Sequence, residues 1–278
     1  MTFNAPDVEE FKSCYPGKLA TLRHDLIGHP LFEITRLTQL AGALPSQSVE
    51  YNAGDLPVSQ DPAKTPMNGL SAEETVRRIA ENNSWMVLKN IEQDAEYNEI
   101  LNACLGEIEP TVRPATGVMY KREGFVFVSS PGAVTPFHMD PEHNILMQLR
   151  GTKTFRAYPD SADAIITDEQ HEAFYGDRGH RNLPYREEFE KYAQAFEMTP
   201  GDALYVPVKT PHWVRVGDDV SISLSITWRS NASDREARLR LGNAWLRAKG
   251  LHPPAPGASP LRDGVVVFAR RVTERLAR

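Results

Sequence analysis

Residues 132–153 read GAVTPFHMDPEHNILMQLRGTK, and this stretch decides both the fold and the chemistry expected of the chain. His138 and Asp140 stand two positions apart, so on an extended strand both side chains lie on the same face. A second histidine, His212, follows 72 residues after Asp140. Two histidines and one carboxylate, with coordination positions left open, are typical of non-haem Fe(II) sites rather than of structural zinc. The three residues are therefore predicted to bind one metal ion.

His212 lies in a second segment with its own pattern, residues 201–213, which read GDALYVPVKTPHW. In the first segment, five residues recur at characteristic intervals: Gly132, His138, Asp140, Asn144 and Gly151. The spacing of both segments resembles the two sequence motifs of the cupin superfamily, over roughly residues 125–230. This resemblance implies a mainly β fold with flanking helices, in which a double-stranded β-helix (jelly-roll) barrel carries the metal site.

The departures from the cupin pattern indicate a branch of that superfamily. A typical metal cupin has His where Asp140 stands and Glu where Asn144 stands. The change gives a facial triad with three open coordination positions. Lys209 replaces the usual Gly of the second motif and Val216 replaces its usual Asn, but neither residue is a ligand in this interpretation.

Residues 135–140 (TPFHMD), Asn144 and residues 151–153 (GTK) resemble the jumonji-C-type hydroxylases, above all the asparaginyl hydroxylase that inhibits hypoxia-inducible factor. The resemblance implies Fe(II) as the metal, 2-oxoglutarate as cosubstrate and O₂ as oxidant. It assigns the distal carboxylate of 2-oxoglutarate to Lys153, and further cosubstrate contacts to Thr135 and Asn144. A dicarboxylate in a narrow barrel needs a counter-cation, which a lysine ammonium supplies. The match does not extend beyond the catalytic strands, so substrate specificity does not transfer.

Each of these residues also has an ordinary structural interpretation. A lone histidine is more often a hydrogen-bonded core residue than a ligand, and Lys153 stands where a hairpin lysine is common. Thr135 and Asn144 could hydrogen-bond the backbone instead. The two in-register motifs favour ligand roles for the histidines. For Asp140, an inward-facing carboxylate without a compensating charge is costly, and a metal ion supplies that charge.

Neighbouring residues are assigned to the framework rather than to the site. His143 is expected at the rim of the metal site and not as a ligand, whereas Trp213 and Trp228 are expected as core aromatics of the barrel. The other histidines have no motif context: His24, His29, His171, His180 and His252.

The chain divides into three parts by pattern. Residues 1–110 mix helical and strand periodicity and are expected to pack on the barrel, residues 111–230 show the short strands of the barrel, and residues 231–278 show two helices. The predicted helices cover about 32–44, 71–82, 97–108, 233–249 and 265–276. The predicted strands cover 84–89, 124–129, 143–149, 152–158, 203–206, 212–216 and 221–228.

A polar insert interrupts the barrel at about residues 160–197, with some helical character. An insert at this point could form a lid or a substrate wall, because function concentrates in loops that a rigid scaffold carries. A solvated helical excursion is the alternative.

Composition limits the location and the partners of the protein. The chain of 278 residues has no apolar run of 18 residues and no basic, apolar start, so we expect neither a membrane span nor a signal peptide. Two cysteines, Cys14 and Cys104, lack the spacing of a metal or redox pair. These features suit the cytoplasm, where Fe(II) is available.

The charge of the chain is uneven. Residues 229–278 hold 11 Lys and Arg against 4 Asp and Glu, although the whole chain has a net charge of −6. A basic tail can bind nucleic acid, but the acidic body opposes this, and the arginines alternate with apolar residues at helical spacing. We favour amphipathic helices that pack on their own domain or on a second subunit. By resemblance to related hydroxylases, a homodimer through these helices is expected.

The predicted activity is that of an Fe(II)/2-oxoglutarate-dependent oxygenase that hydroxylates a peptide or protein side chain or a small metabolite. Two alternatives remain at this point. One is a metal cupin enzyme that does not use 2-oxoglutarate, which Lys153 opposes. The other is a non-catalytic cupin-type sensor or regulator, which the intact triad opposes.

Overall fold

Two antiparallel sheets and seven α-helices build the described part of the chain. The structure is a computed structural model that describes residues 1–159, 165–176 and 181–276. The strands are β1 (Ala20–Arg23), β2 (Val49–Ala53), β3 (Ser84–Lys89), β4 (Tyr120–Ser129), β5 (Val134–His138), β6 (His143–Arg150), β7 (Lys153–Ala157), β8 (Gln194–Met198), β9 (Asp202–Val206), β10 (His212–Val216) and β11 (Ser221–Arg229). The helices are α1 (Ala5–Cys14), α2 (Ile34–Ala43), α3 (Ala72–Arg77), α4 (Ala95–Thr116), α5 (Asp168–Tyr175), α6 (Asn231–Ala248) and α7 (Pro260–Leu276).

The larger sheet has seven strands in the order β1-β9-β6-β11-β4-β3-β2, and the smaller has four in the order β5-β10-β7-β8. All their pairings are antiparallel. Buried residues from the inner faces of both sheets, among them Leu146, Leu204, Phe155 and Val214, form one apolar cluster. The two sheets therefore face each other, as the two halves of a jelly-roll barrel do.

Strand β11 has two different faces because its sequence, SISLSITWR, alternates small hydroxyl residues with large apolar ones. Ile222, Leu224, Ile226 and Trp228 point outward and belong to the largest hydrophobic core. The serines and Thr227 point to the interior of the barrel. One strand thus separates the core that stabilises the fold from the space between the sheets.

Helix α4 covers the outer face of the larger sheet. Its buried residues recur every three or four positions, from Tyr97 to Thr116, and they join the same core as β11. Asp94 caps its N-terminus by accepting a hydrogen bond from the backbone N–H of Glu96. The predicted end at residue 108 is wrong: the helix continues through Pro110 and Pro114 because buried Val112 extends its apolar face.

Several short elements escaped the sequence analysis. These are α1, β1, β2 and β8, and each strand among them has at most five residues, too few for a clear alternation. Helix α3 begins at the predicted capping box at Ser71 but ends at Arg77, shorter than expected. The segment of residues 1–110 supplies three strands to the larger sheet as well as helices that cover it.

The C-terminal helices pack on the rest of the chain. Arg240 and Arg247 of α6 form ion pairs with Asp168 and Glu172 of α5. Helix α7 approaches α6 closely at Gly242, where an added Cβ would clash with a methyl group of Val266. Much of the positive charge of this region is therefore engaged within the protein. No described helix is both long and apolar enough to cross a membrane.

Described parts of the polar insert pack on the barrel rather than extend into solvent. Ile165, Ile166 and Phe189 are buried, and β8 pairs with β7 at the edge of the smaller sheet. Residues 160–164 and 177–180, including His180, lie outside the described residues, as do residues 277–278.

Candidate metal centre

The three predicted ligands meet at the open end of the barrel. His138 ends β5 and His212 begins β10, and the two are register partners in adjacent strands. Asp140 Oδ2 lies 3.8 Å from His138 Nε2 and 3.9 Å from His212 Nε2. One ligand atom from each residue lies within 4.8 Å of the others, close enough to bind a single ion.

Hydrogen bonds fix which nitrogen of each imidazole faces the site. His138 Nδ1 lies 2.7 Å from the carbonyl oxygen of Pro136, and His212 Nδ1 lies 2.8 Å from that of Thr210. A carbonyl oxygen only accepts, so each Nδ1 carries the proton and donates it. Both Nε2 lone pairs are then free for a metal, an orientation that metal-binding histidines commonly have.

His138 and Asp140 do not both lie on a strand, which differs from the geometry expected from the sequence. Strand β5 ends at His138, and Asp140 lies just beyond it. Side chains nevertheless continue to alternate between two faces beyond the strand: Phe137 and Met139 are fully buried in an outer apolar cluster. His138 and Asp140 therefore turn to the opposite side and line the pocket between the sheets.

The charge state of the triad suits a divalent cation. Burial raises the pKa of the Asp140 carboxyl, but Arg181 and the two imidazoles outweigh this effect, so the pKa lies below its usual value. Burial lowers the pKa of His212 to about 3, with a further contribution from His138. Near neutral pH the site therefore holds one carboxylate and a neutral His212. This donor set fits Fe(II).

Arg181 also contacts the triad, although it was not predicted from the sequence. Its Nη1 donates a hydrogen bond of 2.6 Å to Asp140 Oδ1, which leaves Oδ2 directed to the histidines. Its Nη2 lies 3.5 Å from Glu142, which also pairs with Arg229 at 2.8 Å. Arg181 belongs to the insert, 41 positions from Asp140, and no local motif marks it.

A pocket leads from the triad into the barrel. It opens to solvent and combines apolar walls with a few convergent polar groups, as sites for small ligands do. All six predicted site residues line it, together with residues that were not predicted: Trp85, Phe125, Phe127, Ser129, Glu142, Leu146, Phe155, Arg181, Val214, Val216, Ser225 and Thr227.

Lys153 is a buried cation in this pocket. It begins β7 after a turn at Gly151, whose φ of +66° and close approach to the Val220 carbonyl exclude a side chain. Among the described residues, nothing forms a hydrogen bond or an ion pair with its ammonium, and burial lowers its pKa to about 7. A buried, unpaired cation is costly, so the pocket is suited to an anion.

Thr135 and Asn144 bind other side chains rather than the backbone. Thr135 Oγ1 accepts a hydrogen bond of 3.0 Å from Trp85 Nε1, and Asn144 Oδ1 accepts one of 2.6 Å from Ser225 Oγ. Both residues line the same pocket as Lys153. The structure therefore brings the predicted cosubstrate residues together with the triad.

The expected position of His143 is wrong. It is buried on the opposite face of β6, stacked on Trp228 with ring centroids 5.3 Å apart and within 2.9 Å of the Tyr205 hydroxyl. Alternation along β6 requires this, because Asn144 next to it faces the pocket. Trp213 and Trp228 are core aromatics, as expected.

Comparison with known proteins agrees with this arrangement. Residues 45–234, more than two thirds of the chain, match the cupin-like domain family. The chain belongs to this family. The expected mainly β cupin barrel with flanking helices is thereby confirmed.

Two lysine-specific demethylases resemble part of the chain. It is 34% identical over 114 residues to Lysine-specific demethylase JMJ30 of Arabidopsis thaliana, covering 37% of this chain and 25% of the relative. It is 31% identical over 107 residues to Lysine-specific demethylase 8 of Xenopus tropicalis, covering 35% and 23%. The chain thus matches about a quarter of the length of these relatives.

Among solved structures, YcfD, a ribosomal oxygenase from Escherichia coli in complex with cobalt and 2-oxoglutarate, has a similar fold. The TM-score is 0.52 with 15% sequence identity, and the superposition covers 98% of this chain and 68% of that chain. At this identity the similarity concerns the fold alone.

Proposed function

We propose that the protein is an Fe(II)- and 2-oxoglutarate-dependent oxygenase. The observation that carries the proposal is the combination, in one pocket, of the triad and the buried, unpaired Lys153. His138, Asp140 and His212 bind Fe(II) through Nε2, Oδ2 and Nε2. The family membership and the names of the relatives support the same activity.

The residues of the pocket bind and orient the cosubstrate. Lys153 pairs with the distal carboxylate of 2-oxoglutarate. Thr135 and Asn144 donate hydrogen bonds to the cosubstrate. With iron and 2-oxoglutarate bound, O₂ converts the cosubstrate to succinate and CO₂ while one oxygen atom enters a C–H bond of the substrate. Arg181 holds Asp140 in its ligand orientation, and the apolar walls of the pocket restrict the access of water.

The substrate is proposed to be a peptide or protein side chain. The names of the relatives, demethylases specific for lysine and a ribosomal oxygenase, support a macromolecular substrate. Hydroxylation of an N-methyl carbon would give a hemiaminal that breaks down to the free amine and formaldehyde, so demethylation would use the same residues. The lining of the pocket combines Trp85 and Phe125 with Glu142, which pairs with Arg229.

The test is the formation of succinate from 2-oxoglutarate by the full chain with Fe(II) and O₂, with and without peptide mixtures. We expect succinate in the wild type, none in His138→Ala, and wild-type amounts in the control His252→Ala, which changes an exposed histidine. Stoichiometric oxidation of an added small metabolite, but of no peptide, would redirect the substrate assignment. Absence of succinate from the iron-loaded wild type would favour a cupin enzyme independent of 2-oxoglutarate or a non-catalytic regulator.

We also propose that residues 231–278 form a dimerisation element next to the barrel of residues 111–230 and the N-terminal region of residues 1–110. Exposed apolar side chains recur along one stripe of α7 at intervals of three or four: Leu261, Val265, Phe268, Val272 and Leu276. Such a stripe matches a copy of itself in a symmetric helix pair.

The absence of a Cys14–Cys104 disulfide is consistent with a proposed cytoplasmic location.

Light scattering after size-exclusion chromatography tests the dimer. Phe268→Glu should convert a dimer to a monomer, whereas Met67→Glu, an equally exposed apolar site elsewhere, should leave it intact. A wild type that is monomeric at high concentration would contradict this proposal.

A further inference from the structure

The hydrogen bond between Trp85 and Thr135 joins the two sheets at the pocket. Trp85 lies on β3 in the larger sheet and Thr135 on β5 in the smaller one. Trp85 is half-buried, and its indole lines the pocket beside the cosubstrate residues. The indole N–H therefore reaches across the cavity to the hydroxyl expected to contact the cosubstrate.

The direction of this hydrogen bond is fixed by chemistry. An indole N–H can only donate, so Thr135 Oγ1 must accept. The threonine then uses one lone pair for Trp85 and keeps its own proton for another acceptor. Among the described residues, none accepts that proton. A ligand in the pocket can accept it.

Asn144 is arranged in the same way. Ser225 Oγ on β11 donates to Asn144 Oδ1 at 2.6 Å, so the amide oxygen is occupied. The amide Nδ2, with two protons, has no partner among residues 1–159, 165–176 and 181–276. As with Thr135, a supporting residue occupies the acceptor and leaves the donor to the pocket.

We infer that Trp85 and Ser225 are positioning residues that restrict Thr135 and Asn144 to donating, so that these two side chains and Lys153 together offer only donors and select a carboxylate. The ammonium of Lys153 has no acceptor either, so all three groups have the same polarity. This inference rests on the proposed function in that it names 2-oxoglutarate as the anion. Without Trp85, the Thr135 hydroxyl could rotate and direct a lone pair at the carboxylate.

Isothermal titration of the Mn(II)-loaded full chain with 2-oxoglutarate measures this role, because Mn(II) is expected to support binding without turnover. Trp85→Phe keeps an aromatic ring but removes the donor, and we expect about tenfold weaker binding, the value of one well-formed hydrogen bond. Thr135→Val should weaken binding at least as much. In the double variant, Trp85→Phe should cost nothing further, because its effect passes through Thr135.

Ser225 offers a second arm with a matched control on the same strand. Ser225→Ala should weaken binding severalfold. Ser223→Ala removes a similar buried hydrogen bond, of 2.8 Å to Gln148 Oε1, from a residue that does not line the pocket, so binding should stay at the wild-type value. Melting temperatures of all variants separate a local effect on binding from a loss of folding.

The outcomes distinguish this inference from the proposed function. Equal losses from Trp85→Phe in the wild-type and Thr135→Val backgrounds, or wild-type affinity in Trp85→Phe and Ser225→Ala, would overturn the inference even if the enzyme makes succinate. Binding with the expected pattern, but no succinate from the iron-loaded protein, would overturn the activity and leave the inference standing. A wild type that binds no 2-oxoglutarate would overturn both.

Discussion

The inner end of the pocket, at Lys153, and its mouth, at Arg181 and Glu142, differ in whether their charged side chains are paired. At the inner end, Lys153 is buried among apolar side chains and has no partner among the described residues. At the mouth, Arg181 and Arg229 share the buried Glu142, and Arg181 also binds Asp140. The charges at the mouth are paired with one another, whereas the inner end is suited to a negative ligand. This difference in charge pairing places the anion site at Lys153, which the size of the pocket alone could not do.

The largest expected effect comes from removing the unpaired charge. Lys153→Met should weaken 2-oxoglutarate binding by about a hundredfold, the value of a buried charge-assisted hydrogen bond. The same change should stabilise the ligand-free protein, raising Tm by about 4 °C or more, because the cost of burying an ammonium is removed. Titration calorimetry and thermal unfolding measure the two effects. A lower Tm in the variant would mean that Lys153 has a structural partner.

The stabilisation should also depend on pH in a defined direction. The pKa of Lys153 is about 7 in the folded protein and 10.5 when solvated, so burial costs most below pH 7. The difference in Tm between Lys153→Met and wild type should therefore shrink as pH rises from 7 to 10. A difference that grows over this range would contradict the assignment.

Cosubstrate affinity of the wild type should fall as pH rises above 7, by up to about tenfold per unit, because Lys153 loses its proton. Asp140, Arg181 and His212, which also line the pocket, should not mask this slope, since the pKa of Asp140 is lowered, that of Arg181 is raised and His212 stays neutral. Titrations with 2-oxoglutarate between pH 6 and 9 measure the slope. Lys153→Arg is the control, because its guanidinium stays charged and its binding should be flat.

A smaller effect is expected at the mouth. Arg181→Ala should weaken Mn(II) binding by about tenfold, the lower end of the range for residues that hold a metal ligand in place. Electron paramagnetic resonance of free Mn(II) measures it. Arg181→Lys should recover part of the loss, while an alanine variant with wild-type metal affinity would show that Asp140 holds its orientation without Arg181.

The smallest effect is predicted for Glu142→Gln. Arg229 is partly exposed and water can solvate it, so 2-oxoglutarate affinity should change by less than about threefold, consistent with the modest strength of partly exposed ion pairs. Thermal stability should fall slightly. A large loss of cosubstrate affinity would remove the distinction between the two ends of the pocket.

The sequence was sufficient for those parts of the site that depend on local spacing. His138, Asp140, Asn144 and Lys153 lie in one segment of consecutive strands, so their offsets predict their faces. Trp85 and Arg181 could not be predicted in this way. Trp85 reaches the pocket because β3 adds to the sheet beside β4, and Arg181 because residues 181–183 return along β5.

The fold shows the same limit. Several strongly patterned elements, β3, β10 and α6, were predicted to within two residues, whereas the end of α4 was not. Short strands such as β1 and β2 are defined by the partners they meet rather than by their own pattern. His143 was misplaced for a different reason: its neighbour Asn144 was assigned to the pocket, and alternation along β6 then puts His143 on the opposite face.

The two faces of β11 have a consequence for how this protein could be altered. Its outward side chains hold the fold together, while the inward hydroxyls contribute little apolar burial. A position such as Thr227 can therefore be exchanged to reshape the pocket at low cost in folding free energy. Substitutions on the inward face of β11 can therefore change which ligands the pocket accepts, while the outward face keeps the fold stable.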